Sequence, residues 1–123
     1  MANEARLKGK ECIFCKIVQG SLPSKKVFEN EKVFAFHDIS PQAPVHILIV
    51  PKKHVVDVLD VPTNELSIFA DLFQAAQLIS AQLGIAGSGF RTVFNSGDHA
   101  CQTIFHLHLH LLGATQMGGS MVG

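Results

Sequence analysis

One short segment near the end of the chain constrains the fold more than any other feature. Residues 106–112 read His-Leu-His-Leu-His-Leu-Leu, so that histidine and leucine alternate without interruption. Successive side chains of a β-strand point to opposite faces, and this period of two therefore predicts a strand. We expect Leu107, Leu109 and Leu111 to enter a core while the histidines line the other face. Imidazoles in register on one strand indicate a functional site, because histidine serves proton transfer, nucleophilic attack and metal binding near neutral pH.

The rest of the chain supplies partners for this strand. Apolar runs bounded by turn residues predict strands at 26–29, 32–37, 46–50 and 90–95, besides the histidine strand at 104–112. Apolar positions recur every three or four residues between 63 and 83, which predicts an amphipathic helix that Thr63 caps and Gly84 ends. A short helical turn is expected at 12–19, before Gly20. Short connections between the strands favour an α+β fold, with a roughly five-stranded antiparallel sheet packed by one long helix and a short N-terminal helix.

Length and composition limit the organisation and the function classes. A chain of 123 residues predicts a single domain, with residues 1–11 as a loose leader and 114–123 as a flexible tail. Lys plus Arg and Asp plus Glu number 10 each, so the clustered positive charge that a nucleic-acid partner requires is missing. No apolar run approaches the roughly 18 residues needed to cross a bilayer, and no membrane association is expected. An odd number of cysteines argues against a disulfide framework and for the cytoplasm.

The spacing of the three histidines divides their roles. Alternate residues of a strand lie about 6.6–6.8 Å apart, which separates the Cα atoms of His106 and His110 by about 13 Å. Two neighbouring imidazoles could share a metal ion at that spacing, whereas all three could not. The middle histidine, His108, has an imidazole on each side and is the candidate nucleophile or base. A metalloenzyme that uses His106 and His108 as ligands is the alternative.

The loop before the histidine strand offers neutral hydrogen-bond donors. Asn95, Gln102 and Thr103 supply amide and hydroxyl groups, and Gly97 lets a ligand approach the backbone. No Lys or Arg follows residue 92. A phosphate bound here would be held by neutral donors and histidine, which suits a singly charged phosphodiester-like group better than a Mg²⁺-bound triphosphate. An ordinary polar turn would contain the same residue types.

A second candidate site lies near the start of the chain, where Cys12 and Cys15 form a Cys-x-x-Cys pair. In a reducing compartment such a pair is either a redox couple or half of a zinc site, and zinc takes four ligands. The strand that precedes the motif in thioredoxin-type proteins is missing from the pattern. Packing of two small buried side chains on a helical turn is the remaining interpretation.

Two motifs resemble those of one family. The run at 106–112 resembles the histidine triad signature, His-φ-His-φ-His-φ-φ with φ apolar. Residues 36–44, Phe-His-Asp-Ile-Ser-Pro-Gln-Ala-Pro, followed by His46 and by Pro-Lys-Lys-His at 51–54, resemble its nucleotide-binding branch. The similarity extends over about residues 12–117 in the expected order. It implies one histidine triad domain, which forms a homodimer with the two sheets side by side.

The resemblance also implies an activity on purine nucleotides. Members of the family hydrolyse or transfer nucleotidyl groups of purine nucleoside phosphoramidates, with no metal in the chemical step. In that pattern His108 attacks the α-phosphorus, and water cleaves the nucleotidyl-histidine intermediate. His110 would bind a phosphate oxygen, while His46 and His106 would position the neighbouring imidazoles.

Further roles follow from the same resemblance. Gln102 and Thr103 would contact the phosphate or the leaving group, with Thr103 also counted in the catalytic set, and Asn95 would lie beside the phosphate. Asp38 would accept hydrogen bonds from the ribose hydroxyls. The walls of the base pocket would be Phe14, Ile17, Phe36, His37 and Ile39. Structural zinc in some relatives has ligands at positions that correspond here to Cys12, Cys15, His54 and His106.

The chain departs from the family pattern next to the phosphate loop. Relatives usually have glycine where this chain has Ala100 and Cys101, and a glycine pair where it has Gly113 and Ala114. Since glycine provides backbone freedom, the loop is expected to be reshaped. This departure favours a rival interpretation, in which the protein binds nucleotides or acts as a scaffold, with zinc for stability and negligible turnover.

Overall fold

The computed structural model describes residues 12–120. The predicted leader, residues 1–11, and residues 121–123 of the predicted tail lie outside this range. The helices and strands are α1 (Ile13–Gln19), β1 (Lys26–Glu29), β2 (Val33–His37), β3 (Val45–Pro51), α2 (Ser67–Gln82), β4 (Phe90–Val93) and β5 (Leu109–Gly113). Short 3₁₀ turns occupy Val58–Asp60, Thr63–Glu65 and Asp98–Ala100. The predicted α+β class and the strand content are confirmed.

The five strands form one antiparallel sheet in the order β1-β2-β3-β5-β4. The hairpin between β1 and β2 turns at Asn30, whose Oδ1 accepts from the backbone N–H groups of Lys32 and Val33, both at 2.9 Å. A side chain that satisfies its own backbone in this way is a common reason for asparagine in tight turns. The histidine strand β5 lies between β3 and β4, so its side chains have neighbours on both sides.

The sheet is buried on both faces at its centre. On one face the side chains of the odd-numbered positions of β2, β3 and β5 pack under α2, together with Leu107; this core includes Val33, Ala35, Ile47, Ile49, Leu72, Ile79, Leu107, Leu109 and Leu111. On the other face the even-numbered positions pack against α1, in a second cluster of Cys12, Phe14, Cys15, Phe34, Phe36, Leu48 and Val50. The predicted alternation of leucine and histidine is therefore confirmed, and the histidines share the α1 face.

Both predicted helices are present, with one error in the capping of the longer helix. Gly20 ends α1 at φ 84°, as expected of a glycine that follows a helix. Thr63 does not cap α2, because residues 63–65 form a 3₁₀ turn that follows Pro62. The backbone N–H of Phe69 donates to the carbonyl of Leu66 at 3.0 Å, which joins the end of this turn to α2.

The histidine strand is shorter than predicted, since residues 104–108 lie outside any strand. Ile49 pairs with Leu109, so an extended ladder would pair Val50 with His108 and then Pro51 with Leu107. Proline has no N–H to donate to a ladder, and β5 cannot be extended past it. Leu107 instead donates its backbone N–H to the carbonyl of Val55 at 2.7 Å.

Residues 114–120, the described part of the predicted tail, form neither helix nor strand. Arg91 of β4 donates from Nη2 to the carbonyl of Gly118 at 2.9 Å, which joins this segment to the sheet. Across residues 12–120, no helix has both the length and the apolar character required to span a bilayer.

Candidate active site and metal centre

Three histidines meet on the α1 face of the sheet. His46 belongs to β3, His110 to β5, and His108 immediately precedes β5. His110 pairs with Leu48 in the ladder, which makes His46 its diagonal neighbour on the same face. The ring centroids of His108 and His110 are 4.8 Å apart, and those of His46 and His110 are 5.2 Å apart. The ring of Phe14 packs edge-on against His108 at 5.2 Å, so α1 limits the movement of this imidazole.

The tautomer of His108 follows from one backbone hydrogen bond. Its Nδ1 lies 2.7 Å from the carbonyl oxygen of His106. A carbonyl only accepts, and Nδ1 must therefore carry the proton. The lone pair of the neutral ring is then on Nε2, which is the atom that can attack an electrophile.

The tautomers of His46 and His110 follow from a second backbone group. The N–H of Gln42 donates to Nδ1 of His46 at 3.0 Å, so the proton of this neutral ring is on Nε2. That Nε2–H donates to Nδ1 of His110 at 2.9 Å and lies 3.4 Å from Oδ2 of Asp38. The remaining proton of His110 is consequently on Nε2, where it can donate to a bound oxygen.

Burial keeps this histidine row neutral at physiological pH. Burial lowers the pKa of His46 and of His108, in each case against the opposing effect of the Asp38 carboxylate. The pKa of His110 falls to about 4, through burial first and then through the neighbouring imidazoles of His108 and His46. One neutral acceptor and one neutral donor are therefore available beside each other near pH 7.

A pocket of about 680 Å³ adjoins the row at His46 and Asp38. Its lining includes four of the five predicted base-pocket residues, Ile17, Phe36, His37 and Ile39. Ile39 is 98% exposed, so its apolar side chain is accessible to a ligand in the pocket. Phe14, the fifth, does not line the pocket and instead packs against the rings of Phe36, His106 and His108.

Sequence reasoning missed part of this lining, namely Pro23, Ser24, Lys25, Pro41 and Pro44. Lys25 carries the one positive charge among the lining residues other than a histidine. Its carbonyl accepts from the backbone N–H of His37 at 3.1 Å, immediately before the first residue of β1. Pro41 and Pro44 lie in residues 40–44, and the sequence could have identified these prolines as a rigid wall of the pocket. The position of Lys25, by contrast, depends on the register of β1 and β2.

The side chain of Gln102 holds the predicted phosphate loop in place through hydrogen bonds to the backbone. Gln102 is buried, accepts at Oε1 from the N–H of Gly97 at 2.9 Å, and donates from Nε2 to the carbonyls of Val56 and Ile104 at 2.8 and 3.1 Å. Its side chain is therefore fully occupied by the backbone and, in this conformation, not brought to the histidine row. Thr103, which follows it, is exposed, and half-buried Asn95 lies two residues beyond the pair that Val93 makes with His110.

Two of the positions that depart from the family pattern adopt a glycine-like conformation. Cys101 has φ 61° and Ala114 has φ 68°, and among the described residues these are the only non-glycine residues with positive φ. The loop therefore takes the left-handed conformation at Cys101 despite its side chain. Ala100 is the last residue of a 3₁₀ turn and does not share this conformation.

The four predicted zinc ligands come together at the other end of the row. Nδ1 of His106 lies 3.4 Å from Sγ of Cys12 and 3.5 Å from Sγ of Cys15, while Nδ1 of His54 lies 3.3 Å from Sγ of Cys15 and 3.2 Å from Nδ1 of His106. Zinc bonds of about 2.3 Å to sulfur and 2.0–2.1 Å to nitrogen place tetrahedral ligands roughly 3.3–3.8 Å apart. The observed separations fit this geometry closely.

The hydrogen bonds of His106 favour its role as a ligand. Its Nε2 donates to the carbonyl of Pro51 at 2.8 Å, which leaves the lone pair on Nδ1, facing the cysteines. Burial lowers its pKa to about 4, so the ring is neutral and able to bind a metal. Burial and the neighbouring Cys12 raise the pKa of Cys15 to about 12, and an incoming ion must displace the thiol proton.

A second cluster, Asp38, His46 and His110, also brings three metal-binding atoms within 4.8 Å of one another. Its hydrogen bonds are less suited to an ion. The Nε2 of His46 carries the proton of the neutral ring, because Nδ1 accepts from Gln42. Coordination at Nε2 would require this hydrogen bond to be lost or the imidazole to be deprotonated, and we interpret this cluster as a hydrogen-bond relay.

The fold and the site define an α+β protein with a row of neutral histidines beside a largely apolar pocket. A model of the HIT domain matches residues 19–117, and the chain belongs to the HIT family. It is 43% identical over 107 residues to adenylylsulfatase HINT1 of Arabidopsis thaliana, covering 85% of this chain and 72% of that protein. It is 41% identical over 114 residues to the 14 kDa zinc-binding protein of Zea mays, covering 91% and 88%. A solved HIT family hydrolase from Clostridium thermocellum superposes with a TM-score of 0.89 at 44% identity, covering 92% and 98%.

Proposed function

We propose that this protein is a nucleotide-binding hydrolase and nucleotidyl transferase that cleaves purine nucleoside phosphoramidates. The reaction passes through a nucleotidyl-His108 intermediate and releases a nucleoside monophosphate. The observation that carries the proposal is the 2.7 Å hydrogen bond from Nδ1 of His108 to the carbonyl of His106, since it leaves a neutral lone pair on Nε2. Membership of the HIT family supports the same reaction class.

In the first step Nε2 of His108 attacks the α-phosphorus, and the bond from phosphorus to the leaving nitrogen breaks. That nitrogen departs with the electron pair and takes up a proton, for which the exposed hydroxyl of Thr103 is our candidate donor. His110 donates from Nε2 to a phosphate oxygen, as its tautomer requires. Its proton stabilises negative charge that develops on this oxygen.

In the second step water attacks the same phosphorus and gives a proton to the Thr103 oxygen, which restores its hydroxyl, while the bond to Nε2 breaks. Attachment of a nucleotidyl group makes the His108 ring cationic, because Nδ1 keeps its proton. The hydrogen bond to the His106 carbonyl then becomes charge-assisted and stronger. The Asp38 carboxylate also stabilises this cation, and it already opposes the lowering of the pKa of His108 in the free protein.

The nucleoside would occupy the pocket that adjoins His46. Ile39 and Phe36 present apolar surface for a purine, and Asp38 would accept hydrogen bonds from the ribose hydroxyls. Oδ1 of Asp38 already accepts from the N–H of Ser40 at 2.7 Å, which fixes the carboxylate while leaving lone pairs for a ligand. Asn95 would lie beside the phosphate, whereas the side chain of Gln102 would act on the loop.

We also propose that Cys12, Cys15, His54 and His106 hold a structural zinc ion. The fit of their separations to tetrahedral zinc supports this assignment, as does the likeness to the maize protein named for zinc binding. Bound zinc would take no part in the reaction, since His108 is not one of its four ligands and the Nδ1 of His108 is hydrogen-bonded to the carbonyl of His106. The alternative of a metalloenzyme with His106 and His108 as ligands therefore lacks geometric support.

Two leaving groups, an amine and sulfate, can be compared in this reaction. The Arabidopsis relative is named an adenylylsulfatase, and its name describes cleavage of a bond between adenylate and sulfate. Attack by His108 at the same phosphorus would serve both leaving groups. Parallel rates with adenosine 5′-phosphoramidate and adenosine 5′-phosphosulfate would measure the preference, and we expect the phosphoramidate to be the better substrate.

Release of AMP from adenosine 5′-phosphoramidate by the zinc-loaded protein tests the proposal. We expect turnover by the parent and by a His99→Ala control, which removes an exposed histidine of the same loop. His108→Ala should lose turnover by several orders of magnitude while it still binds AMP. AMP binding by the parent without turnover on either substrate would refute the enzyme and favour the rival nucleotide-binding scaffold.

The homodimer expected from the family would use the β4 edge of the sheet. The β1 edge carries Lys26, Glu29 and an irregular register between Lys26 and Phe28, features that protect an edge from pairing. Phe90 of β4 is 41% exposed and offers apolar surface. Sedimentation should show a dimer that Phe90→Glu dissociates and Lys26→Glu retains; a monomeric parent would contradict this assignment.

We place the protein in the cytoplasm. Its cysteines Cys12, Cys15 and Cys101 are all free, and two of them face histidines in an arrangement that requires reduced thiols. Fractionation of the native host, with a secreted disulfide protein as the marker of the oxidising compartments, tests this placement.

A further inference from the structure

We propose that the ion held by Cys12, Cys15, His54 and His106 positions the nucleophile through the main chain, so that metal occupancy determines the tautomer and orientation of His108. This inference deepens the proposed function and rests on it for the role of His108. It concerns the chain's own residues, since the ion takes no part in the chemical step.

The first connection passes through a single residue, His106. Its ring faces the cluster at Nδ1, and its own carbonyl accepts the 2.7 Å hydrogen bond from Nδ1 of His108. The side chain is fully buried, and its Nε2 is fixed by the carbonyl of Pro51. Because the ring and the carbonyl belong to the same residue, a backbone adjustment at His106 that accompanies a movement of the ring would also move the carbonyl.

The second connection starts at the other histidine of the cluster. His54 is followed by Val55 and Val56, whose carbonyls accept from the N–H of Leu107 at 2.7 Å and from Nε2 of Gln102 at 2.8 Å. The segment after His54 is thereby bonded to the chain on both sides of His106. Gln102 is the positioning residue of this connection, and its other two side-chain hydrogen bonds hold the loop at Gly97 and Ile104.

Loss of the ion would remove one bond from each of the two ligand histidines. The His106 ring would then keep its hydrogen bond to Pro51 but have only weak hydrogen bonds to the thiols, and a small backbone adjustment at His106 would lengthen the hydrogen bond from Nδ1 of His108 to the carbonyl. The Nδ1 proton of His108 would lose its acceptor, and the ring would populate the other neutral tautomer, with the proton on Nε2. A protonated Nε2 has no lone pair for attack, and activity would fall roughly 10- to 100-fold, as for other residues that support a metal site.

The test uses the full chain with ¹⁵N-labelled histidine and compares the zinc-loaded protein with the protein stripped by a chelator. In long-range ¹H–¹⁵N spectra at pH 7.5, the loaded protein should show His108 as the pure Nδ1–H form. The stripped protein should show a mixture of tautomers at His108 and an unchanged relay at His46 and His110. A stripped, folded protein with His108 still entirely in the Nδ1–H form would overturn the proposal.

Three controls make the result decisive. Cys101→Ser removes an exposed thiol outside the cluster and should leave the His108 resonances of the loaded protein unchanged. Gln102→Ala should shift His108 in the loaded protein without loss of zinc. If removal of the ion unfolds the chain, replacement of zinc by the larger Cd²⁺ decides, since the proposal requires a change at His108, and identical His108 resonances in both forms would refute it.

This experiment separates the inference from the proposed function. If the tautomer of His108 changes but the protein turns over neither adenylyl substrate, the positioning role of the ion is supported and the proposed hydrolase activity is refuted. Turnover that survives removal of the ion without a change in rate, together with an unchanged tautomer, would retain the hydrolase and reject the connection.

Discussion

A pair of neighbouring substitutions offers a sharp test of the loop that precedes His108. Cys101 adopts φ 61° and ψ 35°, whereas Ala100 directly before it ends a 3₁₀ turn with ordinary φ. Glycine at either position resembles the family pattern. The two substitutions should nevertheless have opposite effects on stability, because only one of them relieves a left-handed backbone.

The expected magnitudes follow from the backbone alone, since the Cys101 side chain is exposed. A left-handed conformation costs an L-residue about 1–2 kcal/mol. Glycine avoids this cost but loses about 0.5–1 kcal/mol in additional backbone entropy on folding. Cys101→Gly should therefore raise the free energy of unfolding by about 0.5–1 kcal/mol, and Ala100→Gly should lower it by about the same amount.

Urea denaturation of the zinc-loaded proteins at one protein concentration measures both effects. A difference of about 1–2 kcal/mol between the variants corresponds to roughly 4–8 °C in melting temperature for a chain of this size. Cys101→Ser, which keeps a side chain at positive φ, should match the parent and controls for loss of the thiol. If Cys101→Gly is no more stable than Cys101→Ser while Ala100→Gly is destabilised, the strain argument is refuted.

Three further predictions concern the core, the relay and the loop. Gly113→Ala places a Cβ 2.8 Å from Cδ1 of Ile85 and should cost about 1–3 kcal/mol in urea unfolding, with partial rescue by Ile85→Val; loss without rescue would contradict the clash. The pKa of His110 is lowered to about 4, so the unfolded chain takes up a proton near pH 6.5 that the folded chain resists. Stability should be full above pH 6.5 and decline towards pH 4, with a shallower decline in His110→Gln; equal slopes would reject the assignment. Gln102→Ala should lower the free energy of unfolding by about 1–3 kcal/mol, because buried backbone groups lose their partners, whereas exposed Gln116→Ala should not; similar losses would refute the buried role.

The fold was predictable largely because its signals repeat. Alternation in residues 106–112 requires one apolar and one functional face, and the structure places Leu109 in the core and His110 on the α1 face. The helical period of residues 63–83 likewise identified α2, although its predicted N-cap was wrong by three residues. Periodicity is a property of the sequence itself, so it can be recognised without knowledge of the tertiary contacts.

What the sequence could not supply is the direction of individual hydrogen bonds. The tautomer of His108 depends on the carbonyl of His106, and the tautomer of His46 depends on the N–H of Gln42. Gln102 was expected to face a phosphate, yet it faces the backbone of its own loop. Amide side chains have both donor and acceptor groups, and only the folded loop determines which partners they find.

The start of β5 at Leu109 could be explained only once the strand beside it was known, although the sequence contained the responsible proline. Pro51 follows the strand predicted at 46–50 and is the last residue of β3, and the same residue also stops the ladder on the neighbouring strand. This consequence required the register, in which Ile49 lies opposite Leu109. A proline limits both strands of a pair only once their alignment is known.

The protonation of the histidine row and of His106 is directed by peptide groups, namely the N–H of Gln42 and the carbonyls of His106 and Pro51. Every amino acid supplies the carbonyl, and every one except proline supplies the N–H. Evolution can therefore vary the Gln42 side chain freely without changing the chemistry of the imidazoles that it directs. In a saturation library we expect position 42 to tolerate most residues and reject proline, so that a residue important for its backbone would be invisible to any ranking based on side-chain conservation.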